Sequence, residues 1–176
     1  MKMTHGMVFW VTGLAGAGKT TIGTALYEKI KKTSKETVLL DGDTLREVFG
    51  NDLGYTSEDR FKCAMRYSRL CKLLSDQGIN VICCTISMFN DVRQWNRDNI
   101  ASYMEIYVKA DNETLMARNQ KQLYSSGAPD VTGVSAPAQL PENPHITINN
   151  DGNADIQLHI DEIAAKIRKE WSGCII

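Results

Sequence analysis

Eight consecutive residues, Gly13-Leu14-Ala15-Gly16-Ala17-Gly18-Lys19-Thr20, carry the most specific chemistry in the chain. They fit G-x-x-x-x-G-K-[ST] at every fixed position, the pattern of a loop that wraps a polyphosphate. The glycines let backbone N–H groups converge on phosphate oxygens, and a helix starting at the loop adds its positive end. In this reading residues 13–21, Thr21 included, hold ATP. Lys19 reaches the β- and γ-phosphates, and the Thr20 hydroxyl takes Mg²⁺. A glycine-rich turn with no ligand would not need all of the fixed positions. The pattern indicates a nucleoside triphosphate and leaves open what receives a phosphoryl group.

A second group of chemical residues follows Val38-Leu39-Leu40, at Asp41-Gly42-Asp43. A carboxylate there can hold Mg²⁺, directly or through water, or accept a proton from an attacking hydroxyl. Asp41 is placed with the metal; whether Asp43 acts in this chemistry or only caps the next helix stays open on these residues alone. Arg46, Arg60 and Arg66 come next, and arginines near one strand edge can clamp an anionic acceptor. Arg66 is read as solvated helix surface.

The elements that must position these residues alternate. Apolar runs of strand length lie at 7–12, 38–40, 81–86, 103–108 and 146–148. Between them, helical spacing marks 21–30, a short helix at 45–49 capped by Asp43 or Thr44, and a long helix capped by Ser57. The long helix carries Phe61, Ala64, Met65, Ser68, Cys71 and Leu74 as its buried stripe and ends at Gly78. Further helices fall at 91–99, 112–119 and from Ile156 to beyond Ile167. A strand apolar on both faces, such as 81–86, belongs inside a parallel sheet. The expected fold is a single α/β domain over 1–176, a three-layer P-loop NTPase fold. It has a five-stranded parallel sheet with helices on both faces. Ligands bind beyond the carboxyl ends of such strands. Residues 120–143 form a long irregular run with glycines and prolines, which is expected to be a lid.

Composition narrows the partners. With 176 residues and a net charge of −1, the chain has no broad field for nucleic acid or an anionic membrane. No apolar run reaches bilayer length. The N-terminus lacks the apolar core and cleavage site of a signal peptide, so the cytosol is the expected compartment. Cys63, Cys71, Cys83, Cys84 and Cys174 form no C-x-x-C pair and are read as reduced thiols. Cys83 and Cys84 should face opposite sides of their strand. The oligomeric state is not fixed by the sequence; a homodimer is left open.

The order of motifs resembles the adenylylsulfate (APS) kinases across roughly residues 7–150. The matching segments are 13–20, Leu40-Asp41-Gly42-Asp43-Thr44-Leu45-Arg46, Asp52-Leu53-Gly54-Tyr55, Asp59-Arg60, Ile86-Ser87, Lys121 with Leu123-Tyr124, Thr132-Gly133 and Pro141-Glu142-Asn143-Pro144. The resemblance implies transfer of the γ-phosphoryl of ATP to the ribose 3′-hydroxyl of APS, giving PAPS and ADP. By the same resemblance Asp43 lies near the acceptor ribose, Arg46 and Arg60 bind its anionic part, and Tyr55 stacks on its base. Ile86 and Ser87 match a pair at the end of the third strand whose serine is described as phosphoryl-carrying. Arg118 matches an arginine near the ATP base, and Lys121 falls in the matched lid motif.

The departures lie on the acceptor side. Val131 stands where the family has a phenylalanine that completes an aromatic sandwich, Cys63 where it has an asparagine, and Met88 where it has a proline. The lid at 125–131 is shorter and lacks the family's basic residues. Adenylyl sulfate is the leading acceptor. Cytidine diphosphoramidate, phosphorylated by a relative in bacterial surface-polysaccharide pathways, is the alternative. A non-catalytic nucleotide switch is the rival from another class; Arg46, Tyr55 and Arg60 argue against it. Because the sequence places no histidine near Ser87 to activate its hydroxyl, direct transfer is expected, with Ser87 as a contact.

Overall fold

The computed structural model describes residues 5–119, 122, 125, 132–133, 137–152 and 155–171. Strands and helices alternate as β1 (Val8–Thr12), α1 (Lys19–Lys31), β2 (Thr37–Asp41), α2 (Gly42–Val48), α3 (Ser57–Asp76), β3 (Asn80–Thr85), α4 (Asn90–Asn99), β4 (Tyr103–Lys109), α5 (Asn112–Arg118), β5 (Ile146–Asn149) and α6 (Ile156–Glu170). The strands form one sheet in the order β2-β3-β1-β4-β5, and every neighbouring pair is parallel. This is the expected α/β architecture.

Successive strand residues point to opposite faces, so each fully apolar strand feeds two cores. Phe9, Val11, Ile82 and Cys84 pack with Ile22 and Leu26 of α1 and with Ile160, Ile163 and Ile167 of α6. Val8, Trp10, Val81 and Cys83 pack with Ala64, Tyr67 and Cys71 of α3 and Val92 of α4. Cys83 and Cys84 therefore do face opposite sides. Among the described residues no helix is long and apolar enough to cross a membrane.

Three local expectations are corrected. The short helix starts at Gly42, and its cap is Asp41, whose Oδ1 accepts the Asp43 N–H at 3.0 Å. Asp41 is the last strand residue and extended, which suits a cap; Asp43 already lies in the first turn. The long helix is capped by Thr56, not Ser57: the Thr56 hydroxyl accepts from Asp59 N at 3.2 Å. Its buried side is Cys63, Ala64, Tyr67, Ser68, Cys71 and Ser75, with Phe61, Met65 and Leu74 at the margin. The stripe turns this way because α3 lies over the sheet and brings Cys63 and Tyr67 toward the strand ends.

The topology makes a crevice. From β1 the chain crosses to one side, to β2; from β3 it crosses to the other, to β4. Ligands lodge where connections diverge in this way, outside the carboxyl ends. The loop after β1, the start of α2 after β2 and the turn after β3 all open there.

Candidate active site

A cleft of about 840 Å³ runs along that carboxyl edge. At one end is the phosphate-loop segment. Gly16 and Gly18 have φ of +79° and +99°, a left-handed backbone that favours glycine. A Cβ on Gly18 would also come within 2.3 Å of the Asn150 amide nitrogen. α1 begins directly at Lys19 with no side-chain cap, so its first-turn amides have no intrahelical acceptor and face the cleft mouth. Such an end can hold a polyphosphate.

The Lys19 ammonium donates to Leu14 O at 2.8 Å. Burial pulls its pKa down from the ordinary lysine value to about 8, while Cys84, Asp41 and Asp43 oppose the shift. A polyphosphate placed there would supply the missing countercharge. Outside the loop, Arg118 donates to Gly16 O at 2.9 Å and to Asn150 O at 3.1 Å, and the Asn150 amide donates to Ala17 O at 2.7 Å. These two side chains hold the outer rim of the loop.

The Thr20 hydroxyl donates to Asp41 Oδ2 at 2.8 Å. Two hard oxygens thus sit side by side at the loop, a donor set suited to Mg²⁺, which keeps several of its waters and uses few protein ligands. No cluster of three or more His, Cys, Asp or Glu that could cage a metal occurs among the described residues. Thr20 and Asp41 are the residues that would hold such a cation.

Beyond the loop the cleft is lined by Asp43, near enough to Lys19 to oppose its pKa shift, and by Arg46, Tyr55 and Arg60. Tyr55 is 59% exposed, and two guanidinium groups approach its ring, Arg46 at 4.4 Å and Arg60 at 5.2 Å from the centroid. Arg46 also donates to Leu53 O and Gly54 O at 3.0 and 3.1 Å, and Arg60 to Tyr55 O at 2.8 Å. The arginines shape the loop that presents the ring and bring positive charge to the cleft. Arg66, read as solvated surface, makes a bidentate pair with Asp52 at 2.7 and 2.8 Å and so fastens the same loop from outside.

Ile86 and Ser87 follow β3 and line the cleft along the sheet edge. Ser87 is 8% exposed, and its hydroxyl shares a hydrogen bond with the Thr85 hydroxyl at 2.8 Å, a partner that is not a base. Lys121 and Val131 lie outside the described residues, as does most of the expected lid. Within the lid span, Thr132 lines the cleft and Gly133 lies against Leu14.

Several cleft residues were not singled out as site residues from sequence: Ala64, Tyr67, Phe89 and Asn150, with Cys63 and Met88 noted only as departures. The Tyr67 hydroxyl donates to Gly42 O at 3.1 Å, tying α3 to α2, and burial raises its pKa. Tyr67 is four residues from Cys63, so helical spacing could have found it. Asn150 follows the last strand and has no local signal.

A parallel sheet with this loop at its switch point and arginines lining the same cleft defines a P-loop phosphotransferase. The sequence profile of the adenylylsulphate kinase family matches residues 5–149, and the chain belongs to that family. A cytidine diphosphoramidate kinase from Campylobacter jejuni is 40% identical over 164 residues, covering 91% of this chain and 95% of that protein. An adenylyl-sulfate kinase from Halothermothrix orenii is 34% identical over 171 residues, covering 95% and 90%. The solved structure of the Mycobacterium tuberculosis APS kinase CysC, in complex with AMPPNP and APS, has a TM-score of 0.84 at 28% identity and covers 93% of this chain and 98% of its own. The chain is an ATP-dependent phosphotransferase.

Proposed function

We propose that the chain transfers the γ-phosphoryl group of ATP to the ribose 3′-hydroxyl of a nucleotide conjugate, and that the conjugate carries cytidine, as in cytidine diphosphoramidate. The observation that carries the transferase reading is one cleft lined both by the phosphate-loop residues and by Tyr55 with Arg46 and Arg60 against its ring. A nucleotide switch needs only the first half.

In this reading the amides of 13–20 cradle the phosphates, and Lys19 neutralises the charge that spreads over the γ-oxygens in the transition state. Thr20 and Asp41 would hold Mg²⁺, which would supply further positive charge against the same build-up. Arg118 borders the ATP base. Arg46 and Arg60 bind the acceptor's anionic part while Tyr55 stacks on its base, an interaction worth ~1–3 kcal/mol. Asp43 orients the acceptor hydroxyl and takes its proton as the O–P bond forms and ADP leaves. Ser87 lacks an activating base, which supports direct transfer with Ser87 as a contact.

The acceptor's identity rests on where the chain departs from the family pattern. Cys63 and Met88 line the cleft. Both replace residues of the APS kinase pattern, while the fixed phosphate-loop positions are intact. The 40% identity with a cytidine diphosphoramidate kinase points the same way. Adenylyl sulfate is the second reading, favoured by the family match and by the likeness to a structure that holds APS. ADP release measured with each conjugate separates them. The expected result is a higher kcat/KM for the cytidylyl conjugate. Preference for adenylyl sulfate would overturn the cytidine assignment, and release with neither would overturn the acceptor reading.

A further inference from the structure

The turn at 87–89 forms one wall of the cleft, yet it is strained and has no cap of its own. Ser87 has φ +33°, in the left-handed region, where a residue other than glycine costs about 1–3 kcal/mol. α4 begins just behind it, and its N-cap residue, Phe89, offers no side-chain acceptor. Both deficits are met from a segment some fifty residues away. Gln139 Oε1 accepts the Asn90 N–H at 2.6 Å, which is the work of a cap side chain. The Gln139 N–H donates to Met88 O at 3.1 Å. The Gln139 carbonyl accepts from Arg93 Nη2 at 2.7 Å.

Arg93 completes the clamp. Its side chain is 2% exposed. Nη1 reaches toward Ser87 O at 3.5 Å, Nη2 also donates to Asn90 Oδ1, and Nε faces Glu105 Oε1 at 3.7 Å. Glu105 is fully buried in β4 and is paired with Arg97 at 2.7 Å as well. Two guanidinium groups share one carboxylate, so carbonyls must answer the surplus charge. Ser87 and Gln139 supply them to Arg93, and Asn143 to Arg97 at 3.0 Å. A rigid fork therefore fixes the wall turn to the segment 139–143. Neither Gln139 nor Arg93 lines the cleft.

We propose that Gln139 and Arg93 are positioning residues for acceptor binding, with Gln139 setting the 87–89 wall through the Asn90 and Met88 backbone. The inference rests on the acceptor reading above. Gln139 is the probe because it is exposed and its removal leaves the Glu105 pairing in place. Gln139→Ala and Gln139→Glu are compared with the wild type by amide exchange over 88–92, thermal melting, and KM for each substrate. Losing one hydrogen bond of ordinary net worth predicts that Gln139→Ala raises the acceptor KM about 2- to 10-fold. The ATP KM should stay unchanged and exchange at Asn90 should quicken. Gln139→Glu keeps an oxygen acceptor and adds a charge favoured at a helix N-terminus, so it should restore both readouts. An unchanged acceptor KM in Gln139→Ala, a parallel rise in ATP KM, or a Gln139→Glu protein as impaired as the alanine variant overturns the proposal. If the wild type releases no ADP with either conjugate, the acceptor reading fails and takes this inference with it. That outcome is distinct from an active wild type whose KM ignores Gln139.

Discussion

Asp41 does two structurally separate jobs, and two substitutions should pull them apart. One carboxylate oxygen caps α2 through Asp43 N, and the other accepts from the Thr20 hydroxyl. Its charge also helps hold up the Lys19 pKa against burial. Asp41→Ala removes everything. A lost cap costs ~1 kcal/mol, within a range of about 0.5–2, and the exposed Thr20 bond adds about 0.5. For a domain of this size, about 1–2 kcal/mol lowers Tm by roughly 2–8 °C. Asp41→Asn should lose almost none of this, because asparagine caps as well as aspartate. Its amide nitrogen would face Thr20, whose hydroxyl can turn from donor to acceptor. What Asp41→Asn does lose is the charge. The Mg²⁺ half-saturation point should rise on the order of tenfold, the ~1.5 kcal/mol of one charge-assisted contact. Lys19, with one anion fewer nearby, should titrate below the wild-type value, so the alkaline limb of kcat/KM for ATP should move to lower pH. The assays are melting curves, then initial rates across Mg²⁺ concentration and pH. Equal Tm losses in the two variants would refute the capping argument. An Asp41→Asn protein with wild-type Mg²⁺ dependence and an unmoved alkaline limb would refute the assignment of the charge.

In the wild type, kcat/KM for ATP should fall as pH rises through about 8, because the charged form of Lys19 is the useful one and it is lost above its free-enzyme pKa. The limb in kcat should lie at higher pH, since bound phosphates stabilise the ammonium; a kcat/KM that stays flat to about pH 9 would contradict the Lys19 role. Ser87→Ala should retain substantial turnover with its acceptor, because the Ser87 hydroxyl is bonded to Thr85 and not to a base. A folded but inactive Ser87→Ala protein would revive a phosphoserine intermediate.

The features the sequence determined are those with local causes. Residues 13–20 could be read as a phosphate loop because each fixed position answers a need of the same turn: glycine at 18 where the backbone is left-handed and at 13 where a Cβ would meet Val108 O, lysine and threonine at the helix start. Strand and helix alternation followed from periodicity, and two-faced apolar strands implied a parallel sheet with helices on both sides. Even Asp41 and Asp43 could be read as chemistry, since a carboxylate ending a strand in such a sheet lies on the ligand edge. Where neighbouring residues competed for one local task, the reading slipped by a residue or two, as with Thr56 against Ser57 and Asp41 against Asp43 as caps. A cap is chosen by which residue stays extended when the helix docks, and docking is not local. The strand order β2-β3-β1-β4-β5 was beyond reach for the same reason. So were the hold of Arg118 and Asn150 on the loop rim, the fastening of the 50–55 loop by Arg66, and the cap that Gln139 supplies to Asn90. Each joins residues far apart in the chain, and only the packed sheet brings them within hydrogen-bonding distance.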